Sequence, residues 1–199
     1  WEQGDSSIDF TVSAEAVESI CRPGNDLADG RYQLQKLLAF GGMGVVLHAY
    51  DQLLHRDVAI KVLQAHYRGV EKYHHLFVNE ALLTSRLQHP GIVPIYDRGQ
   101  CDDGRPYFAM KLVAGSTLKS LLGKSTSDPI ERSRMLKIFE QVCHTMSYVH
   151  SRQILHLDLK PHNIMVGEFG EVHVMDWGLA RHEPQDSPSD GETGIAHDA

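Results

Sequence analysis

Glu80 lies on the apolar stripe of an amphipathic helix, and no other feature of this 199-residue chain constrains its fold as much. The segment 71–88 carries Leu76, Leu83 and Leu87 at helical spacing, and Glu80 falls on the same stripe. A carboxylate among packed leucines needs a partner, because an unpaired charge in apolar surroundings is heavily penalised. The pattern therefore predicts a cation delivered from elsewhere in the chain. Lys61 fits, 19 residues earlier in Val58-Ala59-Ile60-Lys61. Strand alternation puts Ala59 and Lys61 on one face and Val58, Ile60 and Val62 on the other. A lone lysine on a strand is ordinarily a solvated residue; here it supplies what Glu80 lacks.

Around this pair the chain divides into unlike parts. Residues 1–30 are rich in Asp, Glu, Ser and Gly and read as a linker or pendant segment. Apolar runs at 34–40, 45–50 and 58–63, separated by glycine-rich or polar turns, predict an antiparallel meander. Runs at 92–96 and 107–113 add two strands. After Gly115-Ser116-Thr117 and the short apolar stretch 118–122, a long helix is signalled. Asp128 is its N-cap, Pro129 its first residue, and Glu131 completes a capping box. Its predicted core stripe is Met135, Ile138, Phe139, Val142, Met146 and Val149. Short strands at 163–166 and 171–175 follow, and from His182 onward the chain reads as a polar, mobile tail.

Four segments carry chemistry. Ala39-Phe40-Gly41-Gly42-Met43-Gly44-Val45-Val46 joins two predicted strands, and its glycines let backbone N–H groups approach a phosphate. It is no Walker loop, because no Gly-Lys-Ser/Thr opens a following helix. Lys61 can touch both a phosphate and Glu80. His156-Leu157-Asp158-Leu159-Lys160-Pro161-His162-Asn163 follows the long helix, and Pro161 makes it a loop. There Asp158 can accept a hydroxyl proton, Lys160 can neutralise a transferring phosphoryl group, and Asn163 offers an oxygen to Mg²⁺. Asp176-Trp177-Gly178 lies 18 residues beyond Asp158, at a strand end, and provides a second metal-binding oxygen.

In this order and spacing the segments resemble the eukaryotic-type protein kinases, over residues 32–181, with separated motifs agreeing. The Gly-Gly-Met-Gly loop, Val-Ala-Ile-Lys-Val-Leu and Asp-Trp-Gly-Leu-Ala-Arg look most like bacterial members. Asp158-Leu159-Lys160-Pro161 is similar to the serine/threonine subtype. The resemblance implies an α+β, two-lobed fold: an N-lobe at 31–111 with an antiparallel sheet and one helix, and a mostly helical, incomplete C-lobe at 112–181. It implies ATP and Mg²⁺ as cofactors and a protein Ser/Thr hydroxyl as substrate. Carried over position by position, Ala39, Gly41, Gly42 and Gly44 cover the phosphates, and Lys61 pairs with them and with Glu80. Val46, Ala59 and Met165 sandwich the purine. Met110 is the gatekeeper, and the backbone of Lys111 and Val113 meets the adenine edge. Asp158 takes the hydroxyl proton, Asn163 and Asp176 bind Mg²⁺, and His156 is structural.

The chain departs from the family pattern at Ala39, where a glycine is usual, at Leu157 for arginine, and at Trp177 for phenylalanine. Leu157 has no charge to pair with a phosphate on the activation segment, so control is expected through partner binding, dimerisation or movement of the Glu80 helix. The chain stops at Ala199 without an Ala-Pro-Glu-like motif, which reads as C-terminal truncation. A runner-up is a small-molecule phosphotransferase, against which Lys160-Pro161 and the glycine loop speak; another is an ATP-binding but inactive kinase-like fragment. Nineteen basic against 26 acidic residues give a net charge of −7, which argues against nucleic acid or an anionic membrane as partner. No apolar run reaches the length of a membrane span. The sparse cysteines, Cys21, Cys101 and Cys143, match no metal spacing and suggest a cytoplasmic setting, with anchoring through other sequence left open.

Overall fold

The apolar run at 58–63 is buried on both of its faces, which demands a central strand covered from each side. A computed structural model, which describes residues 26–123 and 128–183, places it so. Strands β1 (Asp26–Leu27), β2 (Tyr32–Phe40), β3 (Gly44–Asp51), β4 (Arg56–Leu63), β5 (Ile95–Gln100) and β6 (Pro106–Lys111) form one sheet in the order β1-β2-β3-β4-β6-β5. Every neighbouring pair is antiparallel. Val58, Ile60 and Val62 pack with Leu34, Leu47 and Tyr107 on one face. On the other, Ala59, Leu63, Phe108 and Met110 pack against Phe77 and Ala81 of helix α1 (Glu71–Arg86). The alternation expected along β4 holds.

The second part is built on a different core. Helix α2 (Leu118–Leu122) follows strand β7 (Gly115–Thr117), and helix α3 (Pro129–Ser151) leads to β8 (Ile154–Leu155), β9 (Ile164–Gly167), β10 (Val172–Val174) and β11 (Arg181–His182). Strands β10, β9 and β7 form one small sheet, and β11 pairs with β8. Ile138, Val142, Met146 and Val149 of α3 pack on Ile164, Val166, Val172 and Val174. Asp128 caps α3 as expected: its carboxylate accepts from the Ile130 N–H at 3.0 Å, ahead of Pro129.

Several expectations change. The buried stripe of α1 is Phe77, Glu80, Ala81 and Thr84, with Leu76 and Leu83 only half-buried at its flank. Phe139 on α3 is 64% exposed and leaves the predicted core stripe, while Thr145 joins it. The run at 92–96 is not one strand. Pro94 has no N–H to give, so Ile92 makes a single bridge to Val174 and pairing begins at Ile95. Gly115-Ser116-Thr117, read as punctuation, pairs with β9. Asp26–Leu27 pair with Tyr32 and Gln33, inside the span assigned to a linker. The rest of that assignment, residues 1–25, and the polar tail from residue 184 lie outside the described residues, as does Cys21. Among the described residues, no helix is long and apolar enough to cross a membrane.

Candidate active site

A cavity of about 590 Å³ opens where the six-stranded sheet and α1 meet the loops around β9 and β10. Lys61 reaches it from the central strand. Its Nζ lies 2.6 Å from Glu80 Oε1 and 3.4 Å from Asp176 Oδ1. The partner that Glu80 required is the predicted lysine, and both side chains are more than nine-tenths buried. Burial works against the Lys61 ammonium, but the Glu80 and Asp176 carboxylates outweigh it and hold its pKa above the ordinary lysine value. Burial likewise pushes Glu80 up, and Lys61 offsets part of that. The 2.6 Å contact is as short as charge-assisted hydrogen bonds become. Glu80 Oε2 is buried and has no hydrogen-bond partner among the described residues.

The loop after β8 supplies the facing wall. Lys160 Nζ contacts both Asp158 oxygens, at 3.0 and 2.7 Å. The Asn163 side-chain amide donates to the Asp158 carbonyl at 2.9 Å and to Asp158 Oδ2 at 3.0 Å. The Lys160 hydrogen bond, opposed by burial and helped by Asn163, holds the Asp158 carboxyl below the usual carboxylate range. His156 is buried. Its Nδ1 accepts from the Asp158 N–H at 3.2 Å, so the proton is on Nε2, which donates to the Met175 carbonyl at 3.0 Å. Its ring also packs on Trp177, 4.5 Å between centroids. Burial lowers the His156 pKa and keeps it neutral. It props the loop and is not among the residues that line the cavity.

Asp176 adopts φ 60° and Leu157 φ 63°, left-handed conformations that cost energy in non-glycine residues and collect at functional sites. At Asp176 the turn brings the carboxylate back towards Lys61. Trp177 is 3% exposed, its indole N–H donating to the Val174 carbonyl at 3.3 Å. The larger aromatic is thus accommodated in the α3 core, with Leu83 of α1 packed against the same cluster. Leu157 is 51% exposed.

Of the residues singled out by sequence, Ala39, Gly41, Gly42, Val46, Lys61, Glu80, Met110, Lys160, Asn163, Met165 and Asp176 line the cavity. Gly44 stands behind Lys61; a Cβ there would lie 3.0 Å from the lysine Cε and Cγ. Ala59 is buried beneath, paired across the sheet with Met110. Asp158 is held next to the cavity through Lys160 and Asn163. Lys111 and Val113 are half-buried and lie outside the lining side chains. Phe40, Thr84, Ile95 and His162 line the cavity and were not picked out. Thr84 stands one turn after Glu80 on the same stripe, so helical spacing could have found it; Phe40 and His162 sit inside the two loops already marked out, and Ile95 carries no local signal.

The donor set suits Mg²⁺. The Asn163 side-chain nitrogen is engaged by Asp158, which leaves its oxygen as a hard ligand, and the Asp176 side chain is 43% exposed. Magnesium needs only one or two protein oxygens beside phosphates and waters. A cluster of three or more His, Cys, Asp or Glu is not found among the described residues.

A family model described as "protein kinase domain" matches residues 32–195. The chain belongs to the protein kinase family. Curated relatives of this kinase domain agree. PknD of Chlamydia trachomatis, a serine/threonine-protein kinase, is 40% identical over 160 residues, covering 75% of this chain and 17% of PknD. The serine/threonine-protein kinase PknD of Protochlamydia amoebophila is 38% identical over 160 residues, 75% of this chain and 16% of the relative. PrkC of Bacillus subtilis, also a serine/threonine-protein kinase, is 40% identical over 151 residues, 76% of this chain and 23% of PrkC. The kinase domain described here therefore spans about a fifth of the length of these relatives.

Proposed function

We propose that this kinase domain binds Mg-ATP in the 590 Å³ cavity and transfers the γ-phosphoryl group to a serine or threonine hydroxyl of a protein. The observation that carries the reading is Lys61, buried between Glu80 and Asp176 and facing the Asp158, Lys160 and Asn163 cluster. The family membership and the named serine/threonine kinases support it.

Lys61, positioned by Glu80, meets the α- and β-phosphates. Ala39, Gly41, Gly42 and Gly44 form the loop over them, and Val46, Ala59 and Met165 enclose the purine. Met110 guards the rear of the cavity, with the Lys111 and Val113 backbone at the adenine edge. Asn163 and Asp176 hold Mg²⁺, which supplies charge neutralisation on the phosphates. The substrate oxygen attacks the γ-phosphorus, the bond from that phosphorus to the β–γ bridging oxygen breaks, and ADP leaves. Asp158 accepts the hydroxyl proton. Its lowered pKa makes it a weak base, so orientation of the hydroxyl is its larger contribution. Lys160 lies beside Asp158 and neutralises the phosphoryl group in flight. Control falls to partner binding, dimerisation or displacement of α1, since Leu157 offers no cation. The free Cys101 and Cys143 and the need for ATP fit a cytoplasmic domain.

The test is incorporation of labelled phosphate from Mg-ATP into a generic basic protein, with nucleotide affinity measured in parallel. Asp158→Asn should abolish transfer and leave Mg-ATP affinity within a few-fold, whereas Asp176→Asn should weaken binding itself. Loss of nucleotide binding on Asp158→Asn would overturn the assignment.

A further inference from the structure

The glycine loop is fastened from an unexpected side. Gln64 stands just past the end of β4, three residues after Lys61, and is 7% exposed. Its side-chain amide donates to the Gly41 carbonyl at 2.7 Å. Its backbone N–H donates to the Met43 carbonyl at 3.0 Å, which extends the β3–β4 ladder one step beyond the Gly44–Leu63 pair. The Gly41 N–H closes the turn by donating to the Gly44 carbonyl at 2.8 Å. Gln64 also begins a 3-10 turn at Ala65–Tyr67, yet its side chain makes no capping bond there. The side chain serves the loop instead.

We propose that Gln64 is a positioning residue that sets the orientation of the Gly41–Gly42 peptide for phosphate binding. The proposal rests on the kinase reading above and deepens it. Two consecutive glycines leave this peptide free to rotate, since neither has a Cβ to restrict it. The peptide is planar and trans, so its C=O and N–H point in opposite directions. Gln64 holds the carbonyl. Gly41 and Gly42 both line the cavity and Gln64 does not, so the carbonyl dipole is turned out of the cavity. The Gly42 N–H is left facing away from Gln64, available to a phosphate oxygen. A rotated peptide would present a carbonyl oxygen to the phosphates, and like-signed atoms would meet. Burial makes the latch selective, because the Gln64 amide has given up water and loses most by releasing Gly41.

The device acts on phosphates and leaves the base and ribose alone, and this separates it from a general structural role. Affinities of Mg-ATP, Mg-ADP and adenosine would be measured by titration calorimetry on this chain and on Gln64→Leu and Gln64→Glu. Gln64→Leu removes the donor and should weaken Mg-ATP and Mg-ADP by roughly three- to tenfold, the size of one neutral hydrogen bond. Adenosine should be held as before. Gln64→Glu cannot donate to the Gly41 carbonyl when ionised and should lose at least as much. Equal losses for adenosine and ATP, or an unchanged ratio, would overturn the proposal. A parent chain that binds adenosine and Mg-ATP equally poorly would overturn the kinase reading along with it. If neither variant folds, the unsubstituted chain still decides. Its Gln64 side-chain amide protons should exchange with solvent far more slowly than those of exposed glutamines, and exchange at the same rate would refute the latch.

Discussion

Lys61 is held by two carboxylates, and its removal strands the more deeply buried of them. Lys61→Met should destabilise the fold by about 3–5 kcal/mol, the usual cost of leaving one half of a buried ion pair. Lys61→Met with Glu80→Leu should recover much of that, because no charge then remains in the apolar layer. Urea unfolding of both variants checks this, and a double variant as unstable as the single one would contradict it. His156 gives a second expectation at this scale. Burial holds its pKa below the ordinary 6.5, and His173 is lowered in the same way, by burial and by Lys111. The unfolded chain therefore takes up these protons first as pH falls. The stability they contribute is complete above 6.5 and is lost as the pH drops towards the folded values. Thermal midpoints should fall between about pH 7 and pH 5 and fall less in His156→Gln with His173→Gln. The lysine–glutamate pair was legible because a charge on an apolar stripe is an anomaly. Gln64 was not, because a glutamine after a strand is ordinary until its contacts are seen.

Elements place these residues, and close backbone approaches fix the elements. A Cβ on Gly115 would lie 2.1 Å from the Val166 carbonyl oxygen and 2.8 Å from the Gly167 Cα. Backbone cannot step aside as a side chain can. Gly115→Ala should force β7 away from β9 and shift Thr117 and Met165, which both line the cavity. A loss of roughly 1–3 kcal/mol in stability is expected, with weaker nucleotide binding. Unchanged melting and affinity would show that the strands have more freedom than this geometry allows. The type of most elements was readable from periodicity and caps, and their faces were less so. The stripe on α1 is centred on Phe77 and Ala81 instead of Leu76 and Leu83. Spacing alone allowed either, and only the sheet against which α1 packs chose between them.

At the scale of the molecule, α3 leaves Leu136 and Phe139, neighbours on one face, at 60% and 64% exposure. An apolar helix face in water favours association. This chain should self-associate at high concentration, and Leu136→Gln with Phe139→Glu should reduce that while changing stability by no more than about 0.5 kcal/mol. Light scattering after gel filtration decides; a parent chain that stays monomeric would contradict it. The sequence by itself determined the local chemistry: the glycine loop, the lysine strand, the Asp158–Asn163 loop, Asp176 and the helix cap at Asp128. Each is a short-range pattern whose spacing is set by backbone geometry. Tertiary structure alone decided which face of α1 is buried, and that Pro94 delays a strand. It alone added Asp176 to the Lys61–Glu80 pair and brought Gln64 to Gly41. Those are contacts between residues distant along the chain, and their energies depend on what the folded neighbours exclude from water.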